Sequence, residues 1–344
     1  MEGEAMKESP KARAGANDFH TAIEEAHVVA LWEMFDGEGG PQPHPEPAFH
    51  WPWRVLEPLM DRAVDETGME DAERRVLSLA NPAHGRDDYF RATSNLNAGL
   101  QILMPGERAR PHRHSMDALR FVIEGEGAAT VVDGKLCEME RGDLILTPAW
   151  TWHEHVHDGE TRVIWFDALD VPLVQDLDAT FFEPGPAKDF PKLPEDTAFT
   201  APGLVPTEAL KTPYSPLFRY PWIQSRDALA AVPSREDGSR QLRYVNPTTG
   251  GPVLSRLDCY LLGLEGGKPT QRYRTTSNAV CFVAEGSGTS AIEEVTIEWE
   301  TNDIFTLPHW SWVSHTAGEN GATIFQSTDR DVMRRLELLR EEQE

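Results

Sequence analysis

Cysteine is scarce in this chain of 344 residues, and Cys137, Cys259 and Cys281 are far apart and odd in number. They form neither a disulfide framework nor a Cys-x-x-Cys metal site. Basic residues are also few, with 32 Lys and Arg against 57 Asp and Glu, which gives a formal net charge of −25. Because this charge repels polyphosphate and anionic lipid, it argues against nucleic acid and membrane surfaces as partners.

Long apolar runs are missing as well. No stretch approaches the ~20 apolar residues of a membrane span. The first residues, MEGEAMKESPKARAG, lack the apolar segment of a secretory signal, so we expect a cytoplasmic protein. Hydrophobic residues nevertheless make up 40% of the chain, which is enough for a sizeable core. The length suggests about two domains.

Short strands separated by turn signals dominate the chain from about residue 75 onward. Helical spacing is found before this point, over residues 22–32 and 53–64, and again near the C-terminal end. Many short strands with closely spaced turns favour a sandwich or a barrel. The clearest predicted strands in the first half are 99–104, 119–123, 128–132, 142–146 and 163–166.

The strand-rich region contains an internal repeat. HRHSMDALRFVIEGEG (112–127) aligns with YRTTSNAVCFVAEGSG (273–288), and GDLILTPAWTWHEH (142–155) aligns with NDIFTLPHWSWVSH (302–315). Such repetition predicts one fold used twice. The resulting domain prediction is an N-terminal helical arm (1–74), a first barrel (75–175), a connecting arm (176–238), a second barrel (239–328) and a C-terminal helix (329–344).

Three histidines in the first copy form a candidate metal site. His112 and His114 are two residues apart on a predicted strand, so both imidazoles lie on one face. His153 follows after a further strand and turn. Three imidazoles suit iron, zinc, copper, nickel or cobalt. The second copy has Tyr273, Thr275 and Val313 at these positions, which predicts a structural role without a metal.

The frame around the histidines resembles the cupin motifs, with residues 106–125 similar to the first motif and 142–153 similar to the second. Two copies imply a mainly β bicupin, that is, two double-stranded β-helix (jelly-roll) barrels, with an N-terminal helical arm and a short C-terminal helix. The first cupin motif usually supplies a glutamate ligand, but Ala118 stands at that position here. The site would therefore consist of three neutral histidines.

A more specific resemblance, to the gentisate 1,2-dioxygenase family, covers residues 50–330. It rests on PGERARPHRHSMDALRFVIEGEG, GDLILTPAWTWHEH and WFDALDVPLV. The family also includes salicylate-type and 1-hydroxy-2-naphthoate ring-cleaving enzymes. The resemblance implies a homo-oligomer, often a tetramer, with Fe(II) on three histidines. It also implies that O2 opens the ring of a small aromatic acid between the carboxylate-bearing carbon and the adjacent hydroxylated carbon.

Two further residues are candidates for contacting the reacting molecules. Arg120 could bind the substrate carboxylate, since a guanidinium offers a two-pronged match, although a surface ion pair is the alternative. His155 is a candidate catalytic acid or base with a pKa within reach of neutrality. Its counterpart His315 survives in the second copy, which leaves open a packing role for both.

Four more residues are predicted to line the substrate pocket or support it. Gln101 and Gly99 precede the ligand strand, and Gly99 would leave room for the ring. Asp167 could orient a ligand imidazole or bond the substrate, with a structural carboxylate as the alternative. Asn97 stands where family members commonly carry a tryptophan, which favours a ring substituent, as in 5-nitrosalicylate. Arg74 and Arg75 could also reach the site, but the sequence does not orient them.

Two other functions remain open at this stage. One is another three-histidine cupin dioxygenase, acting on 1-hydroxy-2-naphthoate, a diketone or a thiol. The other is a metal-binding cupin without catalysis, because one fold hosts many functions. A panel of substrates distinguishes the first alternative from a salicylate-type dioxygenase. Metal binding without metal-dependent oxygen uptake would indicate the second alternative.

Overall fold

Short antiparallel strands make up most of the fold, as the alternating apolar pattern predicts. The computed structural model describes residues 16–33, 46–85, 90–186, 190, 193–201, 203–208 and 212–344. The α-helices in these ranges are α1 (Ala16–Glu25), α2 (Trp53–Glu66), α3 (Met69–Ala72), α4 (Val171–Asp176), α5 (Trp222–Ala231) and α6 (Arg330–Arg335). None of these helices has the length and apolar character that crossing a membrane requires.

The strands follow the predicted positions closely in the first half of the chain. The first twelve are β1 (His50–Trp51), β2 (Arg75–Ser78), β3 (Asn97–Leu103), β4 (Arg108–His114), β5 (Ala118–Glu124), β6 (Ala128–Val132), β7 (Lys135–Met139), β8 (Leu144–Thr147), β9 (His153–His157), β10 (Val163–Leu169), β11 (Phe182–Pro184) and β12 (Arg219–Tyr220). The remaining eight are β13 (Ser239–Arg243), β14 (Asp258–Leu264), β15 (Tyr273–Thr275), β16 (Ala279–Ile292), β17 (Val295–Glu300), β18 (Ile304–Leu307), β19 (Val313–Thr328) and β20 (Glu341–Gln343).

Two antiparallel sheets form the first barrel. One sheet has the order β12-β8-β5-β10-β3-β2, and the other has the order β11-β4-β9-β6-β7. The second barrel is a nine-stranded sheet in which the long strands β16 and β19 pair with each other along most of their length. Two register shifts bend this pair, as bulges do where a sheet curves into a barrel. The predicted mainly β bicupin fold is confirmed.

Both predicted arms contribute strands to the barrels. Strand β1, from the N-terminal arm, pairs with β18 of the second barrel. In the connecting arm, β11 pairs with β4 and β12 pairs with β8, so this arm extends both sheets of the first barrel. The C-terminal helix is shorter than predicted. It occupies Arg330–Arg335, and the chain then forms β20, which pairs with β15.

An aromatic cluster joins the two barrels. Alternation along β5 and β10 places Phe121 and Phe166 on the sheet face opposite Arg120 and Asp167. Phe121 packs against Phe325 and Phe282 with ring centroids 4.5 Å and 5.4 Å apart. All of these rings are fully or almost fully buried. The second barrel therefore supports the back of the sheet whose other face carries Arg120.

A buried charge cluster also crosses from the first barrel to the second half of the chain. Arg256 forms ion pairs with Asp117 and Asp170, and its Nη2 donates to the Ser115 carbonyl at 2.7 Å. Ser255 Oγ donates to Asp117 at 2.6 Å. Burial and the neighbouring Asp117 raise the pKa of Asp170 to about 7, and Arg256 opposes this rise.

We expect Arg256→Ala to lower the free energy of unfolding by about 3 kcal/mol, because it leaves two buried carboxylates without their cation. A pKa above the ordinary value means that native Asp170 holds its proton to higher pH than the unfolded chain. Its contribution to stability therefore falls as pH rises from about 4 to 7. The loss in Arg256→Ala should be larger at pH 8 than at pH 5, as measured by urea unfolding. An equal loss at both pH values would contradict this explanation.

Candidate metal centre

Three histidines meet inside the first barrel. His112 and His114 project from the same face of β4, and His153 lies opposite His112 in the register of β4 and β9. The ring centroid of His112 is 4.1 Å from that of His153 and 5.6 Å from that of His114. One ligand atom of each ring lies within 4.8 Å of the others. The structure thus brings together the three residues predicted as ligands.

Backbone carbonyls fix the orientation of all three imidazoles. Nδ1 of His112, His114 and His153 lies 3.1, 2.9 and 3.1 Å from the carbonyls of Arg110, Met116 and Thr151, respectively. A carbonyl accepts only, so each Nδ1 carries the proton and each Nε2 presents a lone pair. Nε2 of His153 is buried and has no hydrogen-bond partner in the described part of the chain. This arrangement is typical of metal-ligating histidines.

The imidazoles are neutral, as metal ligation requires. Burial lowers the pKa of His112 to about 3, with Arg74 as the next cause, and lowers the pKa of His114 to about 4. Burial also holds the pKa of His153 well below its usual range. Ala118 is buried on β5, and the three-residue group contains no carboxylate among the described residues. The donor set fits a divalent transition metal and leaves its charge uncompensated.

Arg74 is the site residue that the sequence did not orient. Its Nη1 is in close contact with Nε2 of His112, and its guanidinium lies 5.4 Å from the ring centroid of Phe182. Phe182, from the connecting arm, also stacks on His112 at 5.3 Å. Arg75, by contrast, turns away and forms an ion pair with Glu107. Arg74 therefore places a cation beside the centre.

Arg120 and Asp167 form a buried pair on the opposite sheet. They face each other in the register of β5 and β10, with Nε of Arg120 3.4 Å from Oδ1 of Asp167. Arg120 also donates to Thr147 Oγ1 at 2.7 Å, and Asp167 accepts from Trp165 Nε1 at 3.1 Å. Burial raises the pKa of Asp167 to about 6, against the effect of Arg120. The surface ion pair considered for Arg120 is wrong, because only 4% of this residue is exposed.

His155 is fully buried beside this pair. Its Nδ1 lies 3.0 Å from Thr130 Oγ1, and its Nε2 has no hydrogen-bond partner among the residues described. Burial, followed by the nearby Arg120, lowers the pKa of His155 well below its usual range. The expected pKa near neutrality is therefore wrong, because the sequence does not reveal the depth of burial. His155 can act as a neutral hydrogen-bonding group.

The remaining predicted pocket residues lie on β3. Gln101 is buried, and its amide nitrogen has no partner within the described ranges. The amide of Asn97 donates to Ser78 Oγ at 3.2 Å and to the Phe90 carbonyl at 3.0 Å. A Cβ at Gly99 would lie 3.1 Å from the Leu77 carbonyl oxygen. Close packing against β2 is thus one reason for glycine at this position. On β10, the carboxylate of Asp167 contacts Arg120 and Trp165 and not a ligand imidazole.

Two cupin-type barrels, with three neutral imidazoles facing one another in one of them, define a bicupin with a histidine metal centre. Residues 99–171 match the model of the cupin domain family. The chain is 34% identical to gentisate 1,2-dioxygenase 1 of Aquipseudomonas alcaligenes, over 98% of this chain and 99% of that protein. It is 36% identical to 5-aminosalicylate 1,2-dioxygenase of Comamonas sp, over 85% of this chain and 80% of that protein.

A solved structure gives the same result. The salicylate 1,2-dioxygenase of Pseudoaminobacter salicylatoxidans, crystallised as an adduct with gentisate, superposes with a TM-score of 0.89. It is 32% identical, and the match covers 98% of this chain and 96% of that chain. The chain belongs to the gentisate 1,2-dioxygenase family and is a ring-cleaving dioxygenase. The predicted family and enzyme class are confirmed.

Proposed function

We propose that this enzyme uses Fe(II) on His112, His114 and His153 to open the ring of a salicylate-type 2-hydroxybenzoate with O2. The bond cleaved lies between the carboxylate-bearing and hydroxyl-bearing carbons. The substrate is gentisate or a 5-substituted salicylate such as 5-nitrosalicylate. The observation that carries the proposal is the three-histidine group with protons on Nδ1, next to the buried Arg120 and the half-buried Arg74. Iron held by these three histidines would supply a common site for substrate and O2 and the redox chemistry of the reaction.

The side chains around the metal centre bind different parts of the substrate. Arg120 and Arg74 supply positive charge on two sides of the histidines in a protein of net charge −25. Arg120 has N–H groups beyond the one bonded to Thr147, and a guanidinium in a buried site binds a carboxylate strongly. Nε2 of His155 and the amide of Gln101 are buried without partners, and each can hydrogen bond to a phenolic oxygen or to O2.

Oxygen uptake tests the proposal directly. Protein reconstituted anaerobically with Fe(II) is mixed with gentisate, salicylate, 5-nitrosalicylate, 5-aminosalicylate and 1-hydroxy-2-naphthoate, and separately with a diketone and with a thiol. We expect stoichiometric O2 uptake with at least one 2-hydroxybenzoate and loss of its aromatic absorbance. Uptake confined to 1-hydroxy-2-naphthoate, a diketone or a thiol would favour the alternative dioxygenases. Protein that holds one iron per chain and consumes no oxygen with any of them would refute the proposal.

Asn97 is proposed to set the choice among ring substituents. Its amide bonds to Ser78 and Phe90. We propose that this short amide gives the pocket a small, polar wall. We expect Asn97→Trp to shift the ratio of kcat/KM for gentisate over 5-nitrosalicylate by about tenfold, since a bulky wall changes the fit of the substituent. Asn97→Ala controls for loss of the two hydrogen bonds. If the ratio of kcat/KM values is unchanged in Asn97→Trp, Asn97 does not determine substrate specificity.

We also propose that the enzyme is a homo-oligomer, and specifically a tetramer. The support is the family resemblance. Light scattering coupled to gel filtration tests it, and a monomer of 38.5 kDa would contradict it.

A further inference from the structure

The second barrel encloses a cavity of about 550 Å³. Tyr273, Thr275 and Val313 line it, and these residues stand where the first barrel has its three histidines. The cavity therefore occupies the place of the metal centre in a barrel that lacks the ligands. Its volume lies within the range of roughly 300–1,000 Å³ that is typical of small-molecule sites.

In the second barrel, neutral residues stand at the strand positions that carry the buried charge pair in the first barrel. Cys281 and Gln326 face each other in the register of β16 and β19, as Arg120 and Asp167 do in β5 and β10. The Gln326 amide nitrogen lies 3.8 Å from Cys281 Sγ. A carboxylate bound here would lack the buried guanidinium of the first barrel, and burying an unpaired charge is costly. The cavity is therefore suited to an uncharged ligand.

The charged side chains of the lining do not change this conclusion, because their charges cancel. They are two arginines and two acids, and Arg330 is held by Glu341 through bonds of 2.9 and 2.6 Å. Asp237 accepts from the backbone amides of Ser239 and Gln271. Arg235 is exposed and contacts Ser239 and Gln241. The lining therefore carries no net charge to attract an anion.

His315 supplies a buried hydrogen-bond donor to the cavity. Ser290 Oγ accepts from Trp299 Nε1 at 2.8 Å and lies 2.7 Å from Nδ1 of His315. Among the hydrogen bonds of the described residues, Nδ1 of His315 is the one acceptor available to the Ser290 hydroxyl proton, so the neutral imidazole carries its own proton on Nε2. His315 is fully buried, and its Nε2 has no hydrogen-bond partner in the described chain. An unsatisfied buried donor of this kind costs about 1–3 kcal/mol, which a bound acceptor would recover.

We propose that the second barrel binds one uncharged, phenol-like molecule. Its oxygen accepts a hydrogen bond from Nε2 of His315, and its ring packs among Leu262, Leu307 and Val313. The aromatic ring of Tyr273, whose centroid is 6.5 Å from that of His315, provides a further contact. This site is separate from the reaction of the first barrel and does not depend on the substrate assigned there.

A matched pair of brominated probes tests the site. Crystals of the iron-loaded enzyme are soaked with 4-bromophenol or with 4-bromobenzoate, which differ in charge but share the ring and the bromine. We expect an anomalous bromine peak inside the second barrel with the phenol alone. Ordered water in both soaks would overturn the proposal, and so would equal entry of the benzoate.

Titration calorimetry with 4-bromophenol gives an independent measurement in solution. We expect His315→Leu to weaken the binding event of the second barrel about tenfold, and His315→Gln, which keeps a donor, to weaken it less. Oxygen uptake by the first barrel and the melting temperature show whether each variant is folded. Unchanged affinity in a folded His315→Leu variant would refute the role of His315. Binding at crystal concentration only would refute the site.

Discussion

Replacement of His153 by alanine should reduce metal-dependent oxygen uptake to background. The neutral imidazoles of His112 and His114 would remain, but two ligands hold a metal far less tightly than three. Loss of a partner that only orients a ligand costs 10–100-fold in metal affinity, so loss of the ligand itself should weaken Fe(II) binding by more than about 100-fold. The iron content after gel filtration and the oxygen uptake should fall together.

A histidine on the same strand provides the control. His157 lies four residues further along β9 and is bonded to the Thr161 carbonyl and to the Gly159 amide, away from the group of three. We expect His157→Asn to keep its iron, even if its melting temperature falls. Full activity in iron-loaded His153→Ala would show that His153 is not a ligand. Equal loss of iron in both variants would point to a general loss of structure.

Replacement of Arg120 by methionine should have the second large effect. Methionine fills much of the same volume but removes the cation, which leaves Asp167 buried without its partner. Truncating one member of a buried charge pair costs about 2–5 kcal/mol. We therefore expect kcat/KM for the aromatic acid to fall by about 100-fold or more, together with a loss of stability.

A double variant separates these two consequences. In Arg120→Met/Asp167→Asn the unpaired carboxylate is removed, so the stability lost in the single variant should largely return. Activity should not return if Arg120 binds the substrate carboxylate. Recovery of kcat/KM together with stability would mean that Arg120 acts only as a structural partner of Asp167. Arg120→Lys, which keeps the charge but loses the two-pronged geometry, should fall between wild type and Arg120→Met.

The histidine group was predictable because its signals are local. Alternation along one strand places His112 and His114 on the same face, and the repeat shows the frame in which they sit. Arg120 and Asp167 were predictable in the same way, because each lies on the strand that follows a ligand strand: Arg120 on β5 after β4, and Asp167 on β10 after β9. Their mutual contact, however, depends on the pairing of β5 with β10, and the sequence of neither strand predicts this pairing.

Other parts of the site depend on contacts between distant segments. Arg74 lies 38 positions before His112, after a short helix, so its direction is set by how that helix packs. Phe182 comes from an arm that the sequence shows only as rich in proline and polar residues. The lowered pKa of His155 reflects burial, which neighbouring residues in the sequence do not determine. The sequence did not predict the cavity of the second barrel. The absence of the three ligands there indicated a structural role, and it gave no sign that the space inside the barrel stays open.

The pairing of β1 with β18 constrains the order in which the molecule assembles. The amide of Phe49 bonds to Thr306 Oγ1, and these residues are 257 positions apart. A ribosome adds about 5–20 residues per second, so the arm leaves the exit tunnel many seconds before its partner strand has been translated. During this interval β1 has no partner strand, although Leu56 and Met60 of α2 can already pack with the core of the first barrel. The second barrel, although it lacks the metal ligands, is thus needed before the segment around Phe49 and β1 can reach its final position.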